Sequence, residues 1–139
     1  MTLQKKFDCL DAPAEILKLV DQLMPLLLAG EHPTLEILRS QLRVSRVRSV
    51  ELTGVGFFAE FDVPVDAVTV IPPRIVGGDA KIELAGIEHG AGCVLFVDNG
   101  RLAMLEGYCN GGEPWLETTA VIAVRDVFSL EHALRRALG

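Results

Sequence analysis

The string Glu106-Gly107-Tyr108-Cys109-Asn110-Gly111-Gly112-Glu113-Pro114-Trp115-Leu116-Glu117 concentrates the side chains best suited to chemistry or contact. It holds the chain's only Tyr and only Trp, together with three carboxylates and three glycines. A carboxylate such as Glu106 or Glu113, set in an apolar rim, acquires a raised pKa and can act as acid or base. His89 is the imidazole it would work with, in the manner of a small hydrolase or isomerase. Tyr and Trp each join a broad apolar body to a polar tip, which suits them to anchoring a partner. Glu113 precedes a proline and is held extended, so Trp115 falls on a sharply defined loop. Two roles stay open for Trp115: a contact on a binding rim, or a plug at one end of a sheet. The candidate binding residues are Glu106, Tyr108, Glu113 and Trp115.

Other chemistries find less support. His89 and Cys93 are four apart and would share one face of a strand, with Cys109 as a third soft ligand for zinc. The Gly90-Ala91-Gly92 insert argues against a regular strand there, and Cys93 sits in an apolar run where a buried thiol packs well. A Cys93–His89 nucleophile pair lacks an acid to orient it. Gly54-Val55-Gly56 and Gly90-Ala91-Gly92 each begin a G-x-G, but the third glycine and the following helix of a phosphate-binding loop are missing. His32 reads as a helix-start residue and His132 as a surface residue of the last helix. No metal and no cofactor are expected.

The chain of 139 residues is half hydrophobic and 23% charged, with a formal charge of -6, a pI near 5.0 and a mean hydropathy of +0.35. That composition supports one globular core over residues 1–139 and argues against disorder. The acidity has the wrong sign for a nucleic-acid binder. Arg39, Arg43, Arg46 and Arg48 form a basic run, read as a helix end followed by an exposed strand face. Cys9, Cys93 and Cys109 are odd in number and widely spaced, which suits a reducing compartment rather than a disulfide framework. Met1-Thr2-Leu3-Gln4-Lys5-Lys6 shows no signal-peptide pattern, and the apolar run Leu23 to Ala29 falls far short of the ~20 residues of a bilayer span. A cytoplasmic protein without membrane partners is expected.

The elements that must position these residues follow from periodicity. Asp11 is the expected N-cap of a helix with Pro13 and Glu15 in its first turn and an apolar stripe of Ile16, Leu17, Val20, Leu23, Met24, Leu27 and Leu28. Pro25 is expected to kink or divide it, and Gly30 to stop it. A second helix opens at Pro33 and turns Leu35, Leu38 and Leu42 inward, so roughly the first 43 residues read as helical. Period 2 then takes over. Phe57, Ala59, Phe61 and Val63 alternate with Phe58, Glu60 and Asp62, and Thr53-Gly54-Val55-Gly56 closes a hairpin on 46–52. Pro64 and Pro72-Pro73 mark a looser connection, ended by Gly77-Gly78-Asp79. Ile82 and Leu84 alternate in the next strand. Asn99-Gly100 joins the apolar runs 93–97 and 102–105 by a type I′ turn, and because the runs are apolar on both faces that hairpin is expected to lie centrally, covered on each side. Ala120 to Val124 is a last strand. Ser129 caps a helix striped by Leu130, Ala133, Leu134, Ala137 and Leu138. With no helix interrupting 46–126, the expected class is α+β: N-terminal helices, a mainly antiparallel sheet of about six strands, and a C-terminal helix packed on it.

The strings Thr53-Gly54-Val55-Gly56-Phe57-Phe58, Phe61-Asp62-Val63-Pro64, Gly78-Asp79, His89-Gly90-Ala91-Gly92 with Leu95-Phe96-Val97, and Leu105-Glu106-Gly107-Tyr108 through Gly112-Glu113-Pro114-Trp115 resemble a group of small bacterial single-domain proteins of unknown function. The likeness is patchy over 53–117, and the Leu-Glu-Gly-Tyr…Glu-Pro-Trp string is its most specific piece. It implies a bacterial, single-domain protein and assigns no catalytic residue. The leading functional expectation is a non-catalytic interaction protein with a protein partner, of a partner-neutralising, immunity-like kind. The alternative is the small hydrolase or isomerase using Glu106 or Glu113 with His89, for which the partner is a small molecule.

Overall fold

The computed structural model describes residues 5–137. Among them the order is β1 (Lys5–Asp8), α1 (Ala14–Leu27), α2 (Pro33–Val44), β2 (Arg46–Leu52), β3 (Gly56–Asp62), β4 (Ile75–Gly77), β5 (Asp79–Leu84), β6 (Ala91–Asp98), β7 (Arg101–Cys109), β8 (Val121–Phe128) and α3 (Glu131–Ala137). The class is α+β with an antiparallel sheet, ordered β1-β2-β3-β7-β6-β5-β8, with β4 also pairing β6. β4 and β5 share the same side of β6. Between them Gly78 takes a φ of +82, and the Asp79 carboxylate accepts from the amides of Ala80 and Cys93 where the ladder is interrupted. The pair therefore behaves as one long strand with a bulge.

The sheet has eight strands rather than about six. The two additions are the short ones. β1 has four residues and β4 only three, too few to show a period in sequence. β1 also corrects the expectation that the first 43 residues are helical. Pro13, not Asp11, occupies the N-cap of α1, with no side-chain hydrogen bond there. Pro25 neither divides nor ends α1, because it lies in the last turn, where only the single bond to the Asp21 carbonyl is forfeited. The helix has closed by Leu28, ahead of Gly30. His32 caps α2, its Nδ1 accepting from the Thr34 amide at 3.2 Å, and Ser129 Oγ accepts from the Glu131 amide ahead of α3. Leu138, the end of the expected apolar stripe, lies outside the described residues.

The three helices pack against β8, β7 and β4. Inward-facing Val50, Phe57, Ala59, Leu95, Leu105 and Leu102 join Leu19, Leu23, Leu27, Leu35, Leu38 and Leu134 in one core. On the opposite face Phe58, Val94, Phe96, Met104, Glu106 and Tyr108 are only half-buried. The β6–β7 hairpin is central, as its apolar runs imply, yet the helices cover only its inner face. Asn99 and Gly100 take φ of 53 and 75, as a type I′ turn requires. A Cβ at Gly100 would lie 2.6 Å from Thr69 Cβ and 3.1 Å from the Val70 carbonyl. Gly100→Val therefore combines an unfavourable φ with overpacking and is expected to cost on the order of 2 kcal/mol. An unchanged urea midpoint would show that the turn tolerates a branched side chain.

Candidate functional site

The four candidate residues do not converge. Their string crosses from β7 into the connection before β8, and successive residues of a strand face opposite ways. Glu106 and Tyr108 lie on the open outer face of β7. Trp115 lies in the core on the other side, and Glu113 sits beyond the end of the strand.

Trp115 is 1% exposed and meets Phe57 edge to face, with ring centroids 5.1 Å apart and planes at 87°. Phe57 in turn covers Gly107, where a Cβ would collide with its ring. The plug role is thus the observed one. The indole is packing, not an exposed anchor, because the chain after Pro114 turns back under the sheet, with the Trp115 amide bonded to the Gly54 carbonyl at 3.1 Å. Its Nε1 is buried without a hydrogen-bond partner among the described residues.

Glu113 clasps two loops. Its carboxylate accepts from the amides of Glu88 and His89 at 2.9 and 3.0 Å and lies 3.2 Å from His89 Nδ1. Asn110 ties the same loops, donating to the His89 carbonyl at 3.1 Å. Hydrogen bonds from those two backbone amides hold the Glu113 carboxyl below the usual carboxylate range. That is the reverse of the raised value a general acid needs. Both oxygens are already engaged, so the pairing with His89 is a structural clasp.

The sign of this shift fixes a pH dependence. The folded pKa lies below the unfolded one, so the contribution is complete above the unfolded value of about 4.3 and disappears as pH falls through the folded value. Wild type should melt above Glu113→Gln by a constant margin from about pH 6 to 8, and the margin should close as pH falls below about 4. Parallel melting curves at every pH would remove Glu113 from the clasp.

On the outer face Tyr108 lies between Gly56 and Gly92, its register partners on β3 and β6. A Cβ at Gly92 would come within 2.8 Å of the Tyr108 hydroxyl, so the glycine makes room for the ring. Burial, with Asp79, Cys93 and Glu106 nearby, pushes the phenol up, keeping it a protonated donor. Glu106 stands in register with Phe58 on β3 and Val94 on β6. Phe58 in turn stands opposite Glu51 on β2. A shallow trough of about 170 Å³ is lined by Lys6, Ser49, Glu51, Phe58, Glu60 and Met104. A neighbouring one of about 300 Å³ shares Glu60 and Met104 and runs on to Phe96 and Arg74.

The connection 63–74 is the feature that sequence reasoning missed. Instead of a loose link, it is pinned at several points. The Val70 amide donates to the Gly100 carbonyl and the Gly100 amide to the Pro73 carbonyl, at 3.0 and 2.8 Å. Gln41 Nε2 donates to the Val68 carbonyl at 2.8 Å, and Arg101 donates to the Val65 carbonyl at 2.8 Å. Yet Val65, Val68 and Ile71 are 86%, 68% and 83% exposed. The available signal was compositional: five β-branched aliphatics between Val63 and Ile71, in a segment bounded by prolines.

The remaining candidates have structural places. Arg39 closes the end of α1 by donating to the Leu28 and Gly30 carbonyls. Arg46 and Arg48 pair with Asp62 and Glu60 across β2 and β3. Cys93 is buried, and that burial pushes its thiol up to about 12, far from a reactive thiolate. No group of three metal-ligating side chains occurs among the described residues, and no helix there is long and apolar enough to cross a membrane. Comparison with known families, curated proteins and solved structures gives no match to this chain.

Proposed function

We propose that this chain is a non-catalytic interaction protein that neutralises a protein partner by covering it, with the loop 63–74 as its principal contact. One observation carries the reading: a loop tied by side-chain and backbone hydrogen bonds to α2 and to the β6–β7 turn presents three aliphatic side chains to water. Water-exposed aliphatics on a mobile loop would be unremarkable. On a pinned loop they form a preorganised apolar surface, whose binding loses little conformational entropy. The acidity of the chain suits a partner of opposite charge. The alternative hydrolase or isomerase reading rests on the contact between His89 and Glu113, and the engaged oxygens of Glu113 weigh against it.

The test is the triple variant Val65→Ser, Val68→Ser and Ile71→Ser. Exposed substitutions of this kind shift stability by about 0.5 kcal/mol or less each, so its melting temperature should stay near wild type. Wild type should retain a stoichiometric protein from the native lysate, and the variant should not. Equal retention by both, or no stoichiometric protein on either, would overturn the proposal.

A further inference from the structure

The outer face of the sheet is uncovered by any helix, and its charges are unevenly matched. Glu60 and Asp62 have arginine partners in Arg48 and Arg46. Glu51 and Glu106 have no cation within salt-bridge distance among the described residues. Strand register sets these two carboxylates on either side of one aromatic ring, in the transverse row Lys6, Glu51, Phe58, Glu106, Val94. Directly opposed residues in such a row have Cβ atoms roughly 5 Å apart. Lys6 ends the row across from Glu51 without forming an ion pair with it.

We propose that this face docks a cationic segment of a protein partner, with an arginine side chain lying on the Phe58 ring between the carboxylates of Glu51 and Glu106. The proposal rests on the protein-binding reading above and names the chemistry of the partner. An aromatic face attracts a cation placed over it, and the flanking carboxylates add charge on both sides. Arginine fits better than lysine, because a planar, weakly hydrated guanidinium stacks on the ring and still offers N–H donors at its edges. Its aliphatic stem has Met104 to lie against. Arg74 lines the neighbouring trough and ends the loop 63–74. The two troughs share Glu60 and Met104, so one partner can touch the end of the loop and the Phe58 row together. The net charge of -6 steers a basic segment toward the molecule before contact.

The probe is a blocked pentapeptide of alternating valine and arginine, titrated into the full chain and followed by backbone amide shifts. A matched peptide with glutamate in place of arginine serves as control. Shifts should concentrate at Glu51, Phe58, Met104 and Glu106, and the glutamate peptide should cause none. The Glu51→Gln, Glu106→Gln double variant should bind about tenfold more weakly, with its melting temperature unchanged. Shifts scattered over the surface, equal binding of the glutamate peptide, or full affinity in the double variant would each overturn the proposal. The loop and the face fail separately. A natural partner lost by the loop variant but held fully by Glu51→Gln, Glu106→Gln removes this inference and leaves the protein-binding reading standing. Arginine-peptide binding at Phe58 in a chain that captures no protein removes the reading instead.

Discussion

Trp115→Ala should cost about 3–5 kcal/mol, a large share of the roughly 5–15 kcal/mol that holds a typical domain folded. The indole is 1% exposed and sits edge-on to Phe57, which itself lies over Gly107. Truncation leaves a cavity bounded by a ring that has no side chain behind it on β7, so local collapse cannot refill the space cheaply. Trp115→Phe separates packing from polarity. It keeps an aromatic edge against Phe57 and removes the buried Nε1–H that lacks a partner among the described residues. Deleting an unsatisfied donor offsets part of the lost contact, so the phenylalanine variant should fall only about 1 kcal/mol below wild type. Because Trp115 is the only tryptophan, emission reports its environment directly: blue-shifted when native, red-shifted on unfolding. Urea denaturation of the three proteins decides the matter. A wild-type-like midpoint for Trp115→Ala would return the ring to the surface.

Much of the fold was legible because local pattern and packing agree. Phe57, Ala59 and Phe61 alternate in sequence and face the core in fact. Asn99-Gly100 names its own turn, because few other pairs tolerate positive φ twice. What stayed hidden depends on register between distant strands. Nothing near Phe58 in sequence says that Glu51 and Glu106 will flank it; the β2–β3 and β3–β7 pairings do that. Proximity in sequence misled at 106–117 for the complementary reason. A strand alternates faces and a Gly-Gly turn follows it, so Glu106 and Trp115 lie on opposite sides of the sheet and Glu113 beyond the end of the strand. A shared string is then a poor guide to a shared site.

Gln41 shows how one polar residue can set the geometry of the loop 63–74. It falls on the inward stripe of α2, three residues after Leu38, and is 1% exposed. Its Nε2 donates to the carbonyls of Val68 and Gly100, and its Oε1 accepts from the Leu102 amide at 2.9 Å. One side chain therefore ties a helix, the β6–β7 turn and the loop 63–74 together. The Gly100 carbonyl keeps the Val70 amide if Gln41 is lost, but the Leu102 amide and the Val68 carbonyl lose this partner. At about 1–3 kcal/mol for each buried group left unsatisfied, Gln41→Ala should destabilise by about 3–4 kcal/mol. Gln41→Met fills nearly the same volume without donors or a strong acceptor, so its loss relative to wild type measures the hydrogen bonds alone and should exceed 2 kcal/mol. Two local signatures should accompany either change: faster hydrogen exchange at the Leu102 amide, and proteolytic nicking between residues 64 and 73. A methionine variant within about 0.5 kcal/mol of wild type, with the loop still protected, would show that the clamp is dispensable. If the loop is freed as expected, partner affinity should fall although Val65, Val68 and Ile71 are all present, because binding must then supply the ordering that Gln41 provides in the free protein.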